Sequence, residues 1–152
     1  MSEQVSTTQN ERLLAALSHA SIVLGLFSNG VGGIVTALVI WVVQRNKSAY
    51  AAQQALQALV YQVATLLLNM LAWCCWGLLW MVLILVPLIA NPGLYETTPP
   101  PGMWVGMALM VVPLAVGALT MLYGLWGAVR TFRGHDFKYA LIGNWLERRY
   151  KG

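Results

Sequence analysis

The stretch SAYAAQQALQALVYQVATLLLNMLAWCCWGLLWMVLILVPLIA, Ser48–Ala90, contains no Asp, Glu, Lys or Arg. It is too long and too apolar for a core helix of a small soluble domain. A hydrocarbon layer is about 30 Å thick and a helix rises about 1.5 Å per residue, so roughly 20 apolar residues make one crossing. Ser48–Ala90 holds that length twice over, which places its first turns at the membrane interface. Uncharged gaps also run from Leu13 to Gln44 and from Thr97 to Val129, and the gap around the opening stretch extends to Tyr95. The gaps are continuously apolar instead of alternating, which excludes a β-barrel, whose strands are about ten residues long with period two. The expected fold is all-α, an integral membrane helical bundle.

The whole chain is 59% hydrophobic and 9% charged, far from the roughly 25% charged residues of a soluble domain. Its net charge of +4 does not point to nucleic acid, because all nine basic residues flank apolar segments. They are Arg12, Arg45, Lys47, Arg130, Arg133, Lys138, Arg148, Arg149 and Lys151. The loop Asn91–Gly102 has none. Lys and Arg collect on the cytoplasmic face, so this loop is assigned to the outside. A plasma-membrane location, multi-pass with both termini cytoplasmic, follows as the expectation. Residues 1–10 are polar and read as a disordered tail without a signal-peptide pattern; residues 11–152 read as a single transmembrane domain.

Four apolar segments are expected, at about 12–28, 31–45, 49–90 and 103–133. Ser28-Asn29-Gly30 carries a turn signal. Either the chain reverses there into a short hairpin, the favoured reading because it puts Arg12 with the other basic residues, or Leu13–Val43 is one kinked helix. Pro87 and Asn91-Pro92-Gly93 are expected to end the long helix. Pro113 should kink the last crossing. Gly134 is placed as a helix stop, and FKYALIGNWLERRYKG after it reads as an amphipathic interfacial helix over about 137–150. Its Phe137, Leu141, Ile142, Trp145 and Leu146 would face lipid acyl chains. Arg130, Arg133, Arg148, Arg149 and Lys151 are the candidate contacts to anionic lipid, each contributing up to about 1 kcal/mol.

Within the membrane two faces stand out. Gln54, Ala58, Gln62, Thr65 and Asn69 recur at steps of four, four, three and four on one helix side, and Gln54, Gln62, Thr65 and Asn69, with His19, form the candidate polar face, either amide bonding between helices or the lining of a path. Gly106, Pro113, Gly117, Thr120 and Gly124 form a small-residue stripe, the expected packing face against the glutamine-bearing helix. Cys74 and Cys75 are adjacent and poorly placed to bridge one another. No nucleotide loop, zinc-peptidase helix or nucleophile elbow occurs. The chain is therefore expected to be no enzyme, with no catalytic residue, no metal site, no cofactor and no nucleic-acid partner.

ERLLAALSHAS, KSAYAAQQALQALVYQ and YGLWGAVRTFRGHDFKYALIGNWLERR carry a resemblance. Together they resemble a family of small bacterial membrane proteins of unknown function similar to the four-helix channel-like subunit of the chloroplast inner-envelope protein translocon (Tic-type). The closing motif is matched at Gly134, Phe137, Tyr139, Ile142 and Gly143. The central motif is matched at Lys47, Ser48, Tyr50, Gln53 or Gln54, and Gln57-Ala58, but its histidine is absent. The resemblance implies four helices and both termini on the cytoplasmic side. Function is expected to be that of a non-enzymatic accessory or assembly subunit of a larger membrane complex, with a protein partner or homo-oligomer beside the lipid bilayer. The alternative is a channel-like or translocon-like transport component whose polar lining is completed by an oligomer or partner.

Overall fold

A computed structural model describes residues 7–95, 99–140 and 143. Among these the only regular structure is helical: α1 (Gln9–Ala20), a 3-10 turn (Ser21–Val23), α2 (Leu24–Phe27), α3 (Val31–Gln44), α4 (Ala49–Ala90), a 3-10 turn (Pro92–Tyr95), α5 (Pro101–Leu109) and α6 (Val111–Phe132). Two helical stretches, Ala49–Ala90 and Pro101–Phe132, are long and apolar enough to cross a membrane. The chain divides into two compact units, one formed by the residues up to Leu66 together with those from Thr120 onward, the other by Leu67–Leu119.

In the first unit, α1 starts at a reciprocal cap. The Glu11 backbone N–H donates to Thr8 Oγ1, and the Glu11 carboxylate accepts from the Thr8 backbone N–H at 2.8 Å, so two otherwise orphaned donors are satisfied. The chain reverses at Ser28-Asn29-Gly30, where Asn29 and Gly30 both take positive φ, 49° and 89°. Ser28 Oγ donates to Leu24 O and accepts from Gly32 N, each at 2.7 Å. A side chain on Gly30 would meet Leu66 Cδ1 at 2.6 Å, so glycine suits both the φ and the packing. Antiparallel α1 and α3 result, joined across the turn by a Ser21 Oγ bond to Gly33 O at 3.1 Å.

Ser48 caps α4 by accepting from Ala51 N at 3.2 Å. The buried residues of α4 all lie in its first half: Ala51, Ala52, Ala55 and Ala58 alternate with Gln54, Gln57, Tyr61, Gln62 and Thr65. The alanines let neighbouring backbones approach, as small residues do in membrane packing. Pro87 does not end α4, which runs on to Ala90; a proline in the last turn removes one hydrogen bond without blocking the residues after it.

In the second unit, α5 opens with Pro101 at its first position, where the missing N–H would be unpaired anyway. The helix is interrupted at Met110, just before Pro113, whose ring crowds the carbonyl four residues earlier, that of Leu109. Trp76 Nε1 donates to Gly106 O at 2.9 Å, and the Trp76 and Trp80 rings stack at 5.2 Å.

The expected interfacial helix over 137–150 is corrected at its beginning. Residues 135–140 are not helical, and Phe137 and Tyr139 are 7% and 2% exposed. The cause is Gly134. With φ 78° it ends α6 in a Schellman arrangement: His135 N donates to Arg130 O at 3.1 Å and Gly134 N to Thr131 O at 3.0 Å. The chain then turns back onto the first unit, and burial alternates with period two, inward at Phe137 and Tyr139, outward at Asp136, Lys138 and Ala140. Of the rest of that proposed helix, 141–142 and 144–150 lie outside the described residues.

Candidate functional site: a tyrosine–histidine–amide–carboxylate chain

His19 faces inward from α1 and is 1% exposed. Its Nε2 lies 3.1 Å from Gln54 Oε1 and its Nδ1 lies 2.9 Å from the Tyr139 hydroxyl. Gln54 Nε2 donates to Asp136 Oδ1 at 2.6 Å, which fixes the amide with its oxygen toward the imidazole. An amide oxygen only accepts, so His19 Nε2 carries the proton, and Nδ1 is left to accept from Tyr139. The direction is therefore single: Tyr139 O–H to His19, His19 N–H to Gln54, Gln54 N–H to Asp136.

Aromatic rings enclose the chain. Tyr139 stacks on Tyr61 of α4 at 4.0 Å and 8°, while Phe137 meets His19 edge-on at 5.7 Å. Tyr123 of α6 packs against Tyr61, Phe137 and Tyr139. Tyr61 itself donates to Thr120 O at 2.7 Å. Gly127 leaves room for this cluster, since a Cβ there would meet the Phe137 ring at 2.8 Å and His19 Nδ1 at 3.3 Å. A single extended segment after α6 thus joins α1, α4 and α6 through three side chains.

A second polar group lies about two turns further along α4. Gln62 Nε2 donates to Ser18 O at 3.1 Å and to Ser21 Oγ at 3.0 Å, and Thr65 Oγ1 donates to Gln62 O. Gln62 Oε1 packs on the bare Cα of Gly33. At the end of the unit where α1 begins, Ser48 Oγ donates to Glu11 Oε1 at 2.6 Å. That bond, followed by the bonds from Thr8, holds the Glu11 carboxyl below the usual carboxylate range. The Arg12 guanidinium lies over Gly134, where a Cβ would meet its Cζ at 2.8 Å.

The residues singled out from sequence are distributed as follows. His19 and Gln54 come together; Gln62 and Thr65 join Ser18 and Ser21 instead; Asn69 lies in the second unit, its Oδ1 3.1 Å from where a Gly117 Cβ would be. In the stripe, Gly106 lies under the Trp80 indole and Pro113 is buried, in the second unit, whereas Thr120 and Gly124 meet Tyr61 in the first. Gly134 ends α6, Phe137 and Tyr139 are in the aromatic cluster, and Gly143 is buried with its N–H on Tyr139 O at 2.8 Å. Ile142 lies outside the described residues, as do Arg148, Arg149 and Lys151. Arg130 and Arg133 are exposed, and so are the free thiols of Cys74 and Cys75. Among the described residues no three His, Cys, Asp or Glu side chains are grouped to hold a metal.

Asp136 and Tyr61 are the functional-site residues that sequence reasoning missed. Asp136 was visible as the one acid between Glu96 and Glu147, but no local pattern pairs it with an amide 82 residues earlier on α4.

A family model for the magnetosome magnetite crystal formation protein family (MamF/MmsF) matches residues 10–146. The chain belongs to that family, a family of bacterial membrane proteins. This overturns the translocon resemblance: the match covers the same stretches that suggested a Tic-type subunit. No curated protein and no solved structure matches the chain.

Proposed function

We propose that the protein is a non-enzymatic, multi-pass subunit of the magnetosome membrane that acts as an accessory or assembly component in magnetite crystal formation. The family match over residues 10–146 carries this reading. Two helices long enough to cross a membrane support the location, and many large apolar side chains, Phe27, Leu67, Ile89 and Leu119 among them, point outward where acyl chains would cover them.

The bundle is read as four apolar segments, the first two being the α1–α3 hairpin, with both termini cytoplasmic by the distribution of Lys and Arg. The absence of catalysis is part of the proposal. The acid and base best placed to cooperate, Asp136 and His19, are separated by the Gln54 amide, and a carboxamide orients its neighbours without readily passing a proton between them. Gln54 is bonded inside the chain through both ends of its amide and Gln62 through its Nε2, which favours a packing role for the amides. Partnership with another membrane protein or a second copy completes the accessory reading.

The test is complementation in a magnetosome-forming bacterium from which its own family member has been deleted. Expression of this chain is expected to restore crystal size and number in electron micrographs, with the chain in the magnetosome membrane fraction. Crystals that stay as in the deletion strain, although the chain reaches that membrane, overturn the proposal.

A further inference from the structure

We propose that the segment from His135 to Ala140 is an acid-sensitive latch, closed onto the first unit while the His19 imidazole is neutral and opened when that imidazole takes up a proton. The inference does not depend on magnetite chemistry and stands apart from the function proposed above.

Three observations carry it. First, the segment has no helix of its own, and Phe137, Tyr139 and Asp136 hold it through ring contacts and side-chain hydrogen bonds. Second, the hydrogen-bond chain has one direction only. The closed state uses His19 Nδ1 as an acceptor for Tyr139, and a protonated imidazole has no acceptor. Tyr139 would have to turn its hydroxyl and leave its proton without the partner it has now, in a site where Tyr139 is 2% exposed. Third, among the described residues nothing charged touches the ring directly. The groups facing His19 are Tyr139 of the segment itself, Gln54 of α4 with Asp136 beyond it, the edge of Phe137, and Gly127 of α6. Tyr61 of α4 and Tyr123 of α6 lie one ring further out. α3 contributes no titratable residue, and on α1 the charges Glu11 and Arg12 are about two turns away.

An imidazolium would therefore be enclosed by aromatic rings and an amide, without a carboxylate in contact. Moving the segment outward brings water to both ring nitrogens and frees Asp136. Protonation stabilises the open arrangement relative to the closed one, which is the requirement for a switch. Opening exposes Phe137 and Tyr139, which are 7% and 2% exposed in the closed arrangement.

Hydrogen–deuterium exchange of the full chain in lipid nanodiscs tests this, comparing about pH 7.5 with about pH 4, either side of the ordinary imidazole range, and correcting for the intrinsic pH dependence of exchange. Amides of 135–140 are expected to lose protection by about tenfold or more on acidification while those of α4 keep theirs. His19→Gln, which cannot be protonated, is expected to hold its protection unchanged between the two conditions. Tyr139→Phe removes the donor that favours the neutral ring and is expected to open at higher pH than the wild type, which keeps the test decisive where His19→Gln fails to fold. Equal protection of the wild-type segment at both pH values overturns the latch. So does an acid response that persists in His19→Gln and disappears in Asp136→Asn, which would assign it to the carboxylate.

Discussion

Ser48 caps α4 with one lone pair of its hydroxyl and donates the hydroxyl proton to Glu11. Through one oxygen it ties the first turn of α4 to the first turn of α1. Glu11 also lies in the positive end of the α1 dipole, where a carboxylate is favoured. Because its folded pKa is depressed, chiefly by the Ser48 bond, the stabilisation it supplies is fully present above the ordinary carboxylate range and is lost as pH falls through the lowered value. Ser48→Ala removes the largest cause of that depression. Its expected outcome is a Glu11 carboxyl titrating closer to the ordinary range when followed by NMR of the side-chain carboxyl carbon. An unchanged titration would mean that Thr8 alone sets it. The α4 cap would be lost in the same variant, at a cost of about 1 kcal/mol.

At this scale sequence patterns identified polar residues but not their partners. His19, Gln54 and Gln62 were visible as polar groups in apolar surroundings, and burial forces such groups to pair. Which one pairs with which depends on rotation of α1 against α4 and on a segment some 80 residues away, as the Gln54–Asp136 bond illustrates. A periodicity argument contains neither.

Among the elements, α5 shows how a small residue positions aromatic ones. Gly106 sits where a Cβ would overlap the Trp80 indole, and its carbonyl takes the Trp76 N–H. Gly106→Ala is expected to push Trp80 aside and loosen the stack of Trp76 on Trp80, destabilising the protein by about 1–3 kcal/mol as overpacking does. Thermal unfolding in detergent measures the loss, and near-ultraviolet circular dichroism reads the rearranged indoles. A substitution at Gly77, with nothing within 4 Å of a Cβ, serves as the comparison and should leave the indole signal in place. Helix identity over α3, α4 and α6 was legible because apolar length is a strong signal. The 135–140 segment was misread because Phe137, Leu141, Trp145 and their neighbours satisfy a helical period, while burial of Phe137 and Tyr139 follows an extended one. Tertiary packing against Tyr61 and His19 decides between two local patterns of similar quality.

For the whole molecule, the distribution of charge within each unit bears on the membrane. Every described Asp, Glu, Lys and Arg belongs to the first unit, and the described residues of Leu67–Leu119 include none. Helical residues 67–90 and 101–119 of that second unit are about 36 Å and 28 Å long at 1.5 Å per residue, each close to the thickness of a hydrocarbon layer. By length and composition, each of these two helical stretches is long enough for one crossing. The α1–α3 hairpin returns the chain to the side it started from, since Glu11 of α1 bonds Ser48 at the start of α4 and Arg12 lies over Gly134 at the end of α6. Both ends of the sequence should then be reached from the cytoplasm. With Cys74 and Cys75 replaced by alanine, Ser2→Cys is expected to react with a membrane-impermeant maleimide only when the cytoplasmic face is open, and Thr97→Cys only from the opposite face. A hairpin fixes this parity, whereas one kinked helix over the first gap would put Ser2 on the same side as Thr97. Labelling of both positions from one face would therefore overturn the four-segment arrangement, whichever face it was.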